Sequence, residues 1–180
     1  MNNPLDDSTA DTASAAGERT SEPAMHFTHL DSRGSARMVD VTAKKPTVRS
    51  ATAKGEVTCS PDVMAALRDG TVPKGDVAAV ARIAGIAAAK KVPDLLPLAH
   101  VIGVHGCTVD VAWGDDRVLI TATVRTADRT GVEMEALTAV TVAALTIVDM
   151  VKGVDRSAAM ENCRIVAKSG GRSGDWVRPE

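Results

Sequence analysis

The chain has 180 residues, a formal net charge of −2, and a composition that is 44% hydrophobic but only 2% aromatic. That length holds one domain of ordinary size plus a tail, and the near-balanced charge argues against a polyanion-binding surface. With Phe27, Trp113 and Trp176 as the only aromatics, the core must come from Ala, Val, Leu, Ile and Met, which lets helices pack closely.

Residues 1–24 are rich in Ser, Thr, Ala and Asp and carry five acids against one arginine. Such a stretch buries too little to fold alone and reads as a disordered acidic tail; it lacks the basic and apolar regions of a secretory signal. Cys59, Cys107 and Cys163 are odd in number, far apart and without ligand spacing. Neither a disulfide framework nor a zinc site is expected, and a cytoplasmic location is. The domain proper is expected over 25–176, with 177–180 a short C-terminal tail.

Residues 47–59 hold Val and Thr at strand-like spacing and form the first predicted strand. Ser60 and Pro61 then supply an N-cap and first helical position for PDVMAALRD, which Gly70 ends. PKGDV places Lys74 just before the next helix, where ammonium and backbone N–H groups together suit a phosphate; the plain alternative is a solvated loop lysine. That helix is predicted from about Gly75 to Lys91, with Asp76 near its start and Pro93 beyond its end. The apolar run LLPLAH follows and ends in His100, which reads more readily as a hydrogen-bonded structural histidine than as a catalyst; His105 has less to mark it.

Val109, Val111 and Trp113 alternate along 104–113, as do Val118, Ile120, Ala122 and Val124 along 117–126, with Gly114, Asp115 and Asp116 between. This is an antiparallel hairpin with one buried face. The next helix holds thirteen uncharged residues from Ala136 to Val148, enough for a buried core helix and too few to cross a bilayer. Glu133 and Glu135 in its first turn suit the helix dipole. Asp149 does not, standing near the C-terminal end on the same face as Lys152. An ordinary ion pair accounts for this, whereas a partly buried pair would have coupled pKa values fit for proton transfer. Glu135 and Asp149 fall on nearly one face but about 21 Å apart along the axis. If both ends are functional, the simplest arrangement sets the start of one chain's helix beside the end of another's, which makes the site an intersubunit one.

NCRIVAK supplies a last strand, with Cys163, Ile165 and Ala167 facing away from Arg164, Val166 and Lys168. The KSGGRSGDW segment has cations that suit phosphate but not the Walker order; by composition it is a flexible tail. The order strand, helical region, strand, strand, helix, strand is that of a ferredoxin-like α+β sandwich, β-α-β-β-α-β, with an antiparallel sheet and an extra helix in the first crossover. A ferredoxin-like nucleic-acid-binding module would read bases with sheet aromatics, which this chain nearly lacks. Serine-hydrolase, zincin and Rossmann motifs are missing too.

Four segments, TGVEMEALTAVTVAALTIVDMVKGVD, KGDVAAVARIAGIAAAKK, HLDSRGSARMVDVTAK and KSGGRSGDW, together resemble the signature segments of the cyclic pyranopterin monophosphate synthase family of molybdenum cofactor biosynthesis. The resemblance runs from about His29 to Trp176. It implies a ferredoxin-like fold, a homohexamer built as a trimer of dimers, and an active site between subunits. The implied reaction converts a cyclised GTP derivative, 3′,8-cyclo-7,8-dihydroguanosine 5′-triphosphate, to cyclic pyranopterin monophosphate with release of diphosphate.

By matching motifs, Asp149 takes the place of the family's acid/base, Lys152 that of its neighbouring lysine, and Lys74 that of the catalytic lysine of KGD. Leu98, Ala99, His100, Met134 and Glu135 fall on substrate-binding positions, and Glu133 and Lys168 on further pocket positions. No metal site and no required cofactor are expected, Mg²⁺ entering only beside the triphosphate; neither nucleic acid nor membrane is an expected partner. The chain departs from the family at Ala99 and Val101, where Cys and Pro are usual, and at Val148, where an aromatic is. Its retained charged residues imply an active enzyme rather than a non-catalytic paralogue.

Overall fold

In the computed structural model, which describes residues 29–179, the chain forms β1 (Thr47–Thr58), α1 (Pro61–Asp69), α2 (Val77–Ala89), the one-turn α3 (Val92–Leu95), β2 (Gly106–Trp113), β3 (Arg117–Asp128), α4 (Glu133–Val151), β4 (Ala159–Ser169) and β5 (Trp176–Val177). The acidic stretch 1–24 lies outside the described residues. All strands join one sheet in the order β2-β3-β1-β4-β5, each neighbouring pair antiparallel. The expected ferredoxin-like α+β arrangement is present, extended by β5 at one edge.

Alternation decides which face is buried. Ala51, Ala53 and Val57 of β1, Val109 of β2, and Val118, Ile120, Ala122 and Val124 of β3 all point into the core, under α2 and α4. Asp76 caps α2 by accepting from the Ala79 N–H at 2.9 Å, so the helix starts at Val77 rather than Gly75. Lys90 and Lys91 lie just past its end. The hairpin turn falls where expected, closed by the Gly114 N–H on the Arg117 carbonyl at 2.8 Å.

By length and apolarity α4 could cross a membrane, its nineteen residues outrunning the thirteen without charge, yet half of it is buried within the fold. Ala136, Ala139, Val140, Ala143, Ala144 and Ile147 are fully enclosed. The packing is close, as the small residues lead one to expect. A Cβ added to Gly85 of α2 would stand 2.7 Å from the Ala139 carbonyl oxygen, and one on Gly55 of β1 would stand 2.5 Å from Val140 Cγ1.

Simple alternation fails in β4. The register runs Ala53↔Ile165 and then Thr52↔Ala167, leaving Val166 unpaired; a second irregularity between Lys54 and Glu56 contains Asn162, whose φ is 53°. An extra residue in one strand reverses which side chains face the core beyond it. Lys168 therefore stands opposite Ala51, and cross-strand partners share a face. It joins Ile165 on the helix-covered side, contrary to the alternation read from sequence. The KSGGRSGDW segment is not a flexible tail but a turn leading to β5, with Trp176 paired to Lys168 and the Gly170 N–H donating to Asp175 Oδ1 at 3.0 Å.

Candidate active site

The first turn of α4 forms one side of a cleft of about 260 Å³. Glu133, Met134 and Glu135 line it from the helix, while Leu98, Ala99 and His100 line it from the loop after α3. Glu135 is 4% exposed, and burial, with the charge of Glu133 adding to it, pushes its carboxyl pKa up. Lys168 lies 3.7 Å from Glu133 Oε1, a position it reaches because the β4 bulge turns it to this face.

His100 is both structural and cleft-lining. Its Nε2–H donates to the Val39 carbonyl at 2.7 Å, which fixes the tautomer and leaves Nδ1 as an acceptor while the ring is neutral. Val101 is 88% exposed, so the departure there leaves that anchor in place. His105 belongs to the scaffold, accepting from the Ala127 N–H at Nδ1, 3.2 Å away.

Lys74, Asp149 and Lys152 meet at the other end of α4. Lys74 Nζ donates to the main-chain carbonyl of Asp149 at 2.8 Å, and Lys152 Nζ to Asp149 Oδ1 at 2.5 Å. Phosphate binding by Lys74 at the α2 N-terminus does not match this geometry, since Asp76 caps that end and the ammonium reaches instead to the negative end of the α4 dipole. The Asp149 pKa is held down, first by the hydrogen bond from Lys152 and then by the charges of Lys152 and Lys74. With the pair about 60% exposed, it adds little stability. A coupled proton-transfer pair needs cover that one chain does not provide.

The ten residues singled out from sequence thus form two clusters at opposite ends of one helix. Sequence reasoning missed the cleft's other wall. Lys44 lines it from the stretch before β1, and its carbonyl is held by Arg129 Nε at 2.9 Å. Arg49 stands close by, donating to the carbonyls of Asp128 at 3.0 Å and Arg129 at 3.2 Å. HLDSRGSARMVDVTAK carries Lys44, but Arg49 sits inside a strand with no local pattern to mark it. Among the described residues no three His, Cys, Asp or Glu side chains converge as a metal-holding group.

The pattern described as the MoaC family matches residues 38–171, a span that includes both clusters. The cyclic pyranopterin monophosphate synthase of Streptomyces coelicolor is 56% identical over 171 residues, covering 95% of this chain and 99% of its own length. Proteins of the same name from Nocardioides sp. and Geobacter sulfurreducens are 55% identical over 162 residues and 51% over 158, covering 88% and 87% of this chain and 99% of theirs. On that family match and those near full-length relatives, the chain belongs to the MoaC family.

Proposed function

We propose that the chain acts as a cyclic pyranopterin monophosphate synthase, a phosphorus–oxygen lyase that converts the cyclised GTP derivative named above to cyclic pyranopterin monophosphate and diphosphate. The observation that carries this reading is that the family match spans both ends of α4, where the acidic cleft and the Lys74–Asp149–Lys152 cluster lie. Turning a fused purine–ribose into a pterin requires repeated proton transfers beside a polyanion, and lysines serve both needs.

In this reading Lys74 and Lys152 exchange protons with the substrate, Asp149 acts with them as acid/base, and Lys168 meets phosphate. Glu133 and Glu135 accept from the N–H groups of the ring system, and His100 offers Nδ1. Leu98, Ala99 and Met134 close the cleft around the rings. The enzyme works as a homohexamer, a trimer of dimers, in which the α4 end of one subunit completes the cleft of the next and supplies the cover that its own ion pair lacks. The location is cytoplasmic, and Mg²⁺ enters only as a companion of the triphosphate.

Supplying the cyclised triphosphate and following pterin product together with diphosphate is the direct test. Equal yields of the two are expected; substrate binding with neither product would make the chain a non-catalytic paralogue.

A further inference from the structure

Between His100 and Val104 the chain runs from the cleft towards β2 and makes, among the described residues, no hydrogen bond from main chain to main chain. Backbone polar groups without that support turn to side chains or water, and here two side chains from the end of β3 meet at one residue. Thr126 Oγ1 donates to the Gly103 carbonyl at 2.5 Å, and Asp128 Oδ2 accepts from the Gly103 N–H at 3.4 Å. Ile102 and Val104 pack against the core on either side of it. Apolar contact is non-directional, so the polar bonds at Gly103 are what fix the segment's place along the strand end.

Thr126 is 2% exposed, and a buried hydroxyl without an acceptor is costly. His105 decides where its proton goes. With Nδ1 accepting from the Ala127 N–H, the Thr126 hydroxyl, 3.3 Å from the same nitrogen, is left to donate to Gly103. The His105 ring also lies over Gly103, where an added Cβ would stand 3.1 Å from Cε1. Asp128 serves the helix side too, its Oδ1 accepting from the Arg129 N–H at 2.7 Å at the turn into α4. One strand end therefore holds both the segment after His100 and the approach to Glu133.

We infer that Thr126 and Asp128 are positioning residues for the substrate cleft: by clamping Gly103 at both its polar groups they set where Leu98, Ala99 and His100 stand, an inference that rests on the synthase reading. His100 is held on its own account through its ring, on the Val39 carbonyl, and Val101 between the two anchors is 88% exposed. Gly103 lies three residues past His100, a reach of at most about 11 Å. A wall fixed at two points keeps its residues in place; released at Gly103, it swings about the remaining one. Cleft walls lose binding when the groups that orient them are removed, even where those groups never touch the ligand. The cluster assigned to proton transfer lies at the other end of α4, where Lys74 and Lys152 are bonded to Asp149. Releasing the clamp thus weakens substrate holding and leaves the chemical step alone.

Steady-state kinetics on the cyclised triphosphate and a histidine-selective NMR spectrum, both on the full chain, test the clamp in Thr126→Val, which keeps the side chain's shape and removes its donor. KM is expected to rise about tenfold with kcat within about twofold of wild type, the split that marks lost substrate binding rather than lost chemistry. The ring signal of His100, assigned with His100→Gln, is expected to move, and Thr126→Ser is expected to restore both readings. A folded Thr126→Val chain whose KM and His100 signal match wild type overturns the inference, whatever its thermal transition, as does a fall in kcat at unchanged KM. Should Thr126→Val fail to fold, Asp128→Ala, altered at a half-buried carboxylate, decides in its place. The same movement of the His100 signal with KM raised about threefold supports the clamp, and neither change overturns it. A wild-type chain that makes no pterin would instead overturn the synthase reading, and the His100 signal would still decide the clamp.

Discussion

Asp155 is 6% exposed and joins two elements. Its carboxylate accepts from Ser157 Oγ at 2.6 Å, from the Ser60 N–H at 2.6 Å and from the Ser157 N–H at 2.8 Å, tying the start of α1 to the turn before β4. These bonds, the Ser157 hydroxyl first, lower its pKa from 3.8 to about 2. A depressed carboxyl pKa means stability present above the unfolded value and lost as pH falls through the folded one. Asp155→Asn is therefore expected to melt below wild type at neutral pH, with the gap closing between about pH 4 and pH 2; a gap that stayed constant would deny the carboxylate this role. Lys152→Ala is expected to bind substrate normally and to lose turnover by a factor on the order of 10² to 10⁴, and steady-state kinetics at wild-type rate would remove Lys152 from the mechanism. At this scale the candidate residues were legible because the motifs hold them, whereas Arg49 was not, since its importance comes from what crosses it in space.

Among the elements, α2 and α4 show how composition becomes contact. Gly85 lets the helices approach until its missing side chain leaves 2.7 Å to the Ala139 carbonyl oxygen, and backbone yields less readily than a flexible side chain. Gly85→Ala is expected to destabilise the fold by about 1–3 kcal/mol, despite alanine's better helix propensity, and denaturant unfolding with no loss would show that the helices can part freely. Close helix packing and the hairpin followed from local pattern. The facing of Lys168 did not, because one extra residue at Val166 reverses the alternation, and a bulge leaves no mark in the period of the sequence around it. The turn to β5 was hidden for a related reason: glycine and serine mark both loose tails and tight turns, and the Asp175 bond that closes this one is a spatial fact.

For the whole molecule, the separation of the two clusters is the dominant constraint. α4 carries Glu133 and Glu135 at its start and reaches Asp149 about 21 Å further on, so the proposed site is complete only between copies. Mixing an inactive Glu135→Ala chain with an inactive Asp149→Ala chain is expected to restore part of the activity, since some mixed pairs contain one intact site. Absence of rescue after subunit exchange, shown by mass spectrometry of the mixed assembly, would place both clusters in one chain's service. The fold that separates the two clusters was readable from sequence order, and the proposed meeting of copies rests on the distance along one helix.

The same rod has a mechanical consequence. A helix with its face packed against the sheet and a neighbouring helix moves as a stiff body, and in the proposed assembly its two ends belong to different reaction centres. If substrate drew the first turn of α4 inward in that assembly, the far end would carry Asp149 through the same displacement at the adjacent centre. Occupancy at one centre would then set the geometry of another by direct leverage, and the chemical step need not be equally fast in empty and filled neighbours. Turnover measured against substrate concentration should then depart from a simple hyperbola, and a Hill coefficient of about one across the whole range would mean that the rod holds still while each centre works alone.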